Sequence, residues 1–391
     1  MLHTALQKLQ NISQRPEKLI IGLMSGTSLD GLDIALCRFR KSQGILHWDL
    51  LAHNTWPYPD TLRQELQSLC FQANASLQSL ALMHCRLPRL WAVQVLAQLE
   101  KWQISPQEID LLASHGQTVF HAPKHVHQVA QAPHTSLQIG DADHLASLTG
   151  IITLGDFRQK HLAAGGEGAP LAPYGDYLLF GFSGTHRVLI NIGGIANITY
   201  LPASANAQEV LASDVGPGNT LIDYLVRQHY PQLSYDPQGS IALQGKVHQE
   251  LLDLMLQEPF FAQALPKSIG QELFNPAWLE HCLSRIEENI RFEDLVATLS
   301  MLTVEALRQA LEQFPLDTQF FVSGGGVHNA FLMQHLEDYF PKRWQRTEVL
   351  GLAADAKEAL IFALLAHEAV FGEGLALGNM PPLTFGKLSF P

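Results

Sequence analysis

The sequence predicts an α/β protein with two lobes facing each other across a cleft, on three observations. At 391 residues the chain exceeds what one hydrophobic core usually supports, so two domains are the default. Short apolar runs of strand character alternate with stretches of helical spacing. A strand, a glycine-rich turn and a second strand occur in each half, the pattern of a duplicated domain holding a ligand between its copies.

In chain order, residues 1–18 are polar and lack the apolar core of a signal peptide, so they read as a short helix or a loose extension. The first hairpin joins apolar residues 19–21 to 34–37 through Gly22-Leu23-Met24-Ser25-Gly26-Thr27-Ser28-Leu29-Asp30-Gly31-Leu32-Asp33. Residues 87–102 have helical spacing. Residues 109–113 read as a strand ending in Ser114-His115-Gly116-Gln117-Thr118, and 151–154 as a strand leading into Gly155-Asp156-Phe157-Arg158. Polar residues thus collect after strand ends, the edge where open α/β sheets bind ligands. The second hairpin spans 187–200, around Asn191-Ile192-Gly193-Gly194-Ile195-Ala196-Asn197. Helices are expected over 219–229, 292–314 and 354–371, with a strand at 319–322 before Ser323-Gly324-Gly325-Gly326. The predicted boundaries are residues 19–157 plus about 372–391 for the first lobe and 158–371 for the second.

Composition narrows the function classes. A formal net charge of −12 argues against nonspecific binding to nucleic acid or an acidic membrane surface, which favours a small-molecule substrate. No apolar run is long enough to span a bilayer. Cys37, Cys70, Cys85 and Cys282 are dispersed without a C-x-x-C pair, the pattern of buried thiols in a reducing compartment, so a cytoplasmic location is expected. A homodimer is compatible with this sequence, which sets no oligomeric state.

The chemistry gathers at turns. In the first hairpin, small residues let backbone N–H groups approach an anion, Ser25, Thr27 and Ser28 add hydroxyls, and Asp30 and Asp33 supply hard oxygen for a divalent cation. That combination suits a polyphosphate with its metal, yet it is neither a Walker loop nor a dinucleotide fingerprint. Asn191, Gly193 and Gly194 offer a second set of N–H groups for the same phosphates, and Gly324, Gly325 and Gly326 a flat surface for a purine or its ribose. Asp214, in Ser213-Asp214-Val215-Gly216-Pro217-Gly218-Asn219, sits in a turn stiffened by Pro217 before a helix, as a general base or a helix cap would. His121, His125 and His127 lack the partners of a zinc site and read as a solvated loop.

The first hairpin resembles, nearly letter for letter, the N-terminal signature of the anhydro-N-acetylmuramic acid kinases, of the sugar kinase, Hsp70 and actin superfamily. Residues 191–197 resemble that superfamily's second phosphate motif and 323–329 its adenosine motif. The resemblance implies a two-lobed actin-like (ribonuclease H-like) ATPase fold with an interlobe cleft, using ATP and Mg²⁺. It assigns Ser25, Gly26, Thr27, Ser28, Leu29, Asp30, Gly31, Leu32, Asn191, Gly193, Gly194 and Gly324–Gly326 to the nucleotide and Asp30 and Asp33 to the metal. Asp214 becomes the base, Glu358 and Arg158 its partners, and Arg158 a sugar contact. His115 and Gln117 are candidate contacts to sugar or loop, and His115 reads equally as a satisfied core histidine. The implied reaction phosphorylates O6 of 1,6-anhydro-N-acetylmuramic acid while water opens the anhydro bridge, in cell-wall recycling. A kinase for another anhydrosugar or plain sugar, and an actin- or chaperone-like ATPase without sugar substrate, remain alternatives on the same motifs.

Three positions depart from that pattern: His161 replaces an Asp, Glu167 a Gln and Ile269 a Thr, the last within Pro266-Lys267-Ser268-Ile269-Gly270. All three are expected to stand clear of Asp214 and the glycine motifs. If Glu167 faces the sugar, its carboxylate would repel a lactyl carboxylate, and protonated His161 would offset this.

Overall fold

The computed structural model describes residues 2–42, 45–72, 74–269, 273–352, 354–378 and 380–391; Gly270, at the end of the third departing stretch, lies outside them. Twelve strands form two sheets among these residues. They are β1 Glu17–Ser25, β2 Gly31–Ser42, β3 Ile45–Pro57, β4 Leu111–Ala122, β5 Thr135–Ile139, β6 Thr153–Gly155, β7 Arg187–Ile192, β8 Ile195–Leu201, β9 Leu211–Pro217, β10 Gln319–Ser323, β11 Trp344–Arg346 and β12 Lys387–Ser389.

The duplicated-domain expectation is met by topology. The first sheet runs β12-β6-β4-β1-β2-β3, with β5 paired to β4, and the second runs β11-β10-β7-β8-β9. In each, three antiparallel strands continue into two parallel ones: β3-β2-β1 then β4-β6, and β9-β8-β7 then β10-β11. This is the ribonuclease H-like order, occurring twice.

Two compact units divide the chain, Met1–Leu179 with Asp355–Pro391 and Phe180–Ala354. The predicted breaks at 157/158 and 371/372 are therefore corrected. Helix Ala354–Phe371 belongs to the first unit because it rides directly on β1: a Cβ at Gly22 would lie 1.8 Å from the Ala359 carbonyl oxygen. Lys357 Nζ also pairs with Asp176 Oδ1 at 2.8 Å, tying that helix to Ala172–Phe180.

In the first unit, helix Leu77–Lys101 buries Met83, Leu87, Trp91, Val95 and Leu99, a stripe at four-residue spacing, against Ile21 and Leu23 of β1. Successive strand residues point to opposite faces, so Gly22 faces the other way, toward Ala354–Phe371, and the sheet lies between two helical layers. In the second unit the helix Phe292–Leu311 is buried nearly all round and packs on β9, with the Thr303 hydroxyl donating to the Pro217 carbonyl at 2.8 Å.

Several elements differ from expectation. Residues 2–13 form a short helix, one of the two expectations for this stretch, whereas the 87–102 helix begins earlier than expected, at Leu77. The strand expected at 109–113 continues to Ala122, so Ser114–Thr118 lies within β4 rather than beyond its end. Its second half is sustained by antiparallel pairing with β5. Asp214 lies in β9, not in the turn after it. The glycines 324–326 lead into a 3₁₀ turn, Gly325–His328, before the helix Ala330–Tyr339. Three of the four free cysteines are buried, whereas Cys85 is exposed. Among the described residues no helix is long and apolar enough to cross a membrane.

Candidate active site

In the first unit the strand ends gather around a cavity of about 310 Å³ lined by Met24, Ser25, Gly26, Thr27, Ser28, His115, Thr118, Arg158 and Glu358. The hairpin supplies one wall. Its turn closes with Leu29 N–H donating to the Gly26 carbonyl at 3.3 Å, and Leu29 adopts a left-handed φ of 57°. Leu29 and Leu32 are buried in the hydrophobic core, so of the residues assigned to nucleotide these two offer only backbone. Asp30 is exposed and accepts from the Ser28 hydroxyl at 2.8 Å, while Asp33 Oδ1 accepts from the Thr55 hydroxyl at 2.5 Å.

Arg158 is aimed by its neighbours. Phe157, 1% exposed, packs edge-on against Phe362 at 5.2 Å between centroids, which anchors the Asp-Phe-Arg turn. Arg158 Nε then donates to His115 Nε2 at 3.1 Å. His115 is 2% exposed, and burial, reinforced by the adjacent guanidinium, holds its pKa well below the usual imidazole value. The ring is thus neutral with its proton on Nδ1, as an acceptor at Nε2 requires. Burial brings the Arg158 pKa down to about 10, opposed by the charge of Glu358. Glu358 opens to the cavity, yet the surrounding protein displaces enough water to raise its pKa; Asp33 and Asp176 push the same way, against Lys357 and Arg158.

Gln117 does not line the cavity. It is fully buried, its Oε1 2.6 Å from Ser25 Oγ and its Nε2 3.2 Å from the Gly26 carbonyl, so it holds the turn rather than a sugar. Tyr58 and Trp91, which join this network, carried no sequence signal. Thr118, directly after Gln117, lines the cavity in its place.

In the second unit three motifs interlock at one sheet edge. Gly218 N–H donates to the Gly194 carbonyl at 2.9 Å, Asn219 N–H to the Gly193 carbonyl at 2.8 Å and the Thr220 hydroxyl to Gly194 at 2.9 Å. A Cβ at Gly218 would sit 2.2 Å from the Gly193 oxygen, so no side chain fits there. Ser323 pairs in register with Asn191, which sets Gly324 (φ 85°) against the Asn191 side chain and the Ile192 carbonyl.

Asp214 pairs with Asn197 across β9 and β8, next to a register shift. Its N–H donates to the Lys267 carbonyl at 3.0 Å, and its Oδ2 accepts from Ile269 N–H at 2.8 Å. The expectation that the departing positions stand clear of Asp214 fails here, because Ile269 holds the carboxylate through its backbone. Burial raises the Asp214 pKa, and that hydrogen bond partly offsets the rise.

The other departures are structural. His161 is buried, accepts from Gly168 N–H at Nδ1 (2.9 Å) and packs edge-on to Tyr174; burial lowers its pKa, so it is not a cation awaiting a carboxylate. Glu167 Oε1 lies 3.5 Å from His125 Nδ1 and does not line the cavity. His127 spends both ring nitrogens on its own loop, at the Pro133 carbonyl and the Val129 N–H. Among the described residues no three His, Cys, Asp or Glu groups gather as a metal site.

The chain matches the anhydro-N-acetylmuramic acid kinase family over residues 18–385. It is 44% identical to the anhydro-N-acetylmuramic acid kinase of Pseudoalteromonas atlantica, covering 99% of both chains. It is 41% identical to that of Pseudoalteromonas translucida over the whole of both chains, and 35% identical to that of Caldanaerobacter subterraneus subsp. tengcongensis, covering 98% of this chain and 100% of the relative. The chain belongs to the anhydro-N-acetylmuramic acid kinase family.

Proposed function

We propose that the protein transfers the γ-phosphoryl group of ATP to O6 of 1,6-anhydro-N-acetylmuramic acid while water opens the anhydro ring at C1. The product is N-acetylmuramic acid 6-phosphate, in peptidoglycan recycling in the cytoplasm. The observation that carries this reading, beside family membership, is the shared cavity of the first unit. The hydroxyl-rich turn 24–28 meets Arg158 and Glu358 there, although they lie far apart in sequence.

Asp214 takes a proton from the water attacking C1, and its raised pKa suits a base that must hold that proton. The C1–O6 bond breaks with its electron pair on O6. O6 attacks the γ-phosphorus, the bond to the β,γ-bridging oxygen breaks, and ADP leaves. Arg158, a fixed cationic fork beside a neutral histidine, balances carboxylate or phosphoryl charge. Glu358 orients the sugar and water. Asp30 and Asp33, each accepting a hydroxyl hydrogen bond, would hold a divalent cation together with phosphate oxygens, the usual protein share for Mg²⁺, and the cation would neutralise phosphate charge.

Reaction in ¹⁸O-labelled water tests the coupling. The label should enter the C1 hydroxyl, corrected for anomeric exchange, and not the new phosphate. An unlabelled C1 oxygen with phosphorylated product would leave a plain sugar kinase.

A further inference from the structure

We propose that Tyr58 and Trp91 are positioning residues for the phosphate turn, which they hold through a buried hydrogen-bond chain whose donor direction is fixed at every link. Its function in catalysis rests on the ATP reading above; its existence does not.

The chain starts in the core. Trp91 Nε1 lies 2.9 Å from the Tyr58 hydroxyl, which lies 2.7 Å from Ser25 Oγ, which lies 2.6 Å from Gln117 Oε1. Gln117 Nε2 lies 3.2 Å from the carbonyls of both Gly26 and Thr118. All four side chains are at most 3% exposed, so water supplies none of these bonds.

Each direction follows from what the groups can do. Carbonyls only accept, so the Gln117 atom facing two of them is the NH₂ group, and its Oε1 is an acceptor. The Ser25 hydroxyl therefore donates to Gln117. Its oxygen is left to accept, so the Tyr58 O–H donates to it. An indole N–H only donates, so Trp91 supplies the Tyr58 oxygen. The order is Trp91 to Tyr58 to Ser25 to Gln117 to the Gly26 carbonyl, and no link can reverse. Burial pushes the Tyr58 pKa up to about 12, with Asp33 and Asp30 adding to the rise, so the phenol keeps the proton it must donate.

The placement gives the chain its purpose. Trp91 belongs to the buried stripe of helix Leu77–Lys101, Tyr58 follows β3, Ser25 ends β1 and Gln117 lies opposite it on β4. Gly26 lines the cavity. The turn that would receive phosphate is thereby tied through four strand or helix segments to the buried core of the unit.

Tyr58→Phe removes one hydroxyl and leaves the ring. Amide hydrogen exchange on the free protein reads the turn without any ligand, and residues 26–29 should exchange about tenfold faster in the variant, the effect of losing one buried hydrogen bond. Ser25→Ala, which cuts the next link, should do the same. Val95→Ala, a cavity one turn along the same helix, should lower thermal stability without this local effect. With ATP and sugar, Tyr58→Phe should raise the KM for ATP about 3- to 30-fold and leave the KM for sugar unchanged. Unchanged exchange at 26–29 in both Tyr58→Phe and Ser25→Ala would overturn the proposal whatever the enzyme's substrate. Faster exchange with an unaltered ATP KM would overturn its link to nucleotide. Wild-type protein inactive on ATP and anhydrosugar would fail the functional reading alone, and exchange would still decide the chain.

Discussion

The two glycine hairpins occupy the same place in two sheets of the same order, yet they are held by different chemistry. The turn after β1 is fixed by side chains: Gln117 and Ser25 grip it, backed by Tyr58 and Trp91. The turn after β7 is fixed mainly by backbone, its carbonyls taking N–H groups from Gly218, Asn219 and Thr220, with the Thr220 hydroxyl and Asn219 amide as lesser side-chain donors. Duplication preserved the strand order, while the means of stiffening diverged. A side-chain support can be loosened one link at a time. A backbone support depends on residues whose side chains must be absent.

The largest effect should come from the second unit's carboxylate. Asp214→Asn should bind ATP normally and lose about two to four orders of magnitude in turnover, the range for a positioned base. Because burial raises the Asp214 pKa and the active form is the carboxylate, wild-type kcat/KM should fall, as pH drops, at a value above the ordinary range for an Asp. Glu358 is shifted in the same direction and contributes to that acid limb. In Asp214→Asn the portion due to Asp214 disappears. An acid limb unchanged between the two proteins would remove Asp214 as the titrating base.

Gly218→Ala tests the backbone support directly. Its methyl would meet the Gly193 oxygen at 2.2 Å, so the hairpin or the 217–220 segment must shift. Overpacking of this kind costs about 1–3 kcal/mol, which calorimetry should read as several degrees of Tm, accompanied by weaker nucleotide binding. Gly26→Ala should be milder, because a Cβ there meets nothing closer than Ser28 Oγ at 3.4 Å. Equal losses from the two would erase the distinction between the hairpins.

The legibility of the sequence follows the same division. Glycine turns flanked by apolar strands are local signals, and both hairpins, Asp214 and the 323–326 segment could be read from neighbours within a dozen residues. The unit boundary could not, because helix Ala354–Phe371 is assigned by a contact with Gly22 more than three hundred positions away. The same holds for Tyr58 and Trp91, an aromatic pair indistinguishable in sequence from ordinary core. The polar stretch 114–118 does not mark a strand end, because a strand paired first with β1 and then with β5 need not stop where polarity begins.

The smallest effect is expected at Glu167, where a charge distinguishes this chain from the family pattern. Its carboxylate is half-exposed and faces His125 at 3.5 Å, and it lies outside the cavity lined by Arg158 and Glu358. An exposed pair of this kind is worth about 0–1 kcal/mol, and solvent screens its field from a bound sugar. His161 cannot amplify it, since its Nδ1 is committed to the Gly168 N–H and its pKa is lowered by burial. Glu167→Gln should therefore leave unchanged the ratio of kcat/KM for anhydro-N-acetylmuramic acid to that for an anhydrosugar lacking the lactyl group. A ratio that moves toward the muramic substrate would mean that Glu167 reaches the sugar during turnover. The charge would then be a specificity element rather than a surface substitution.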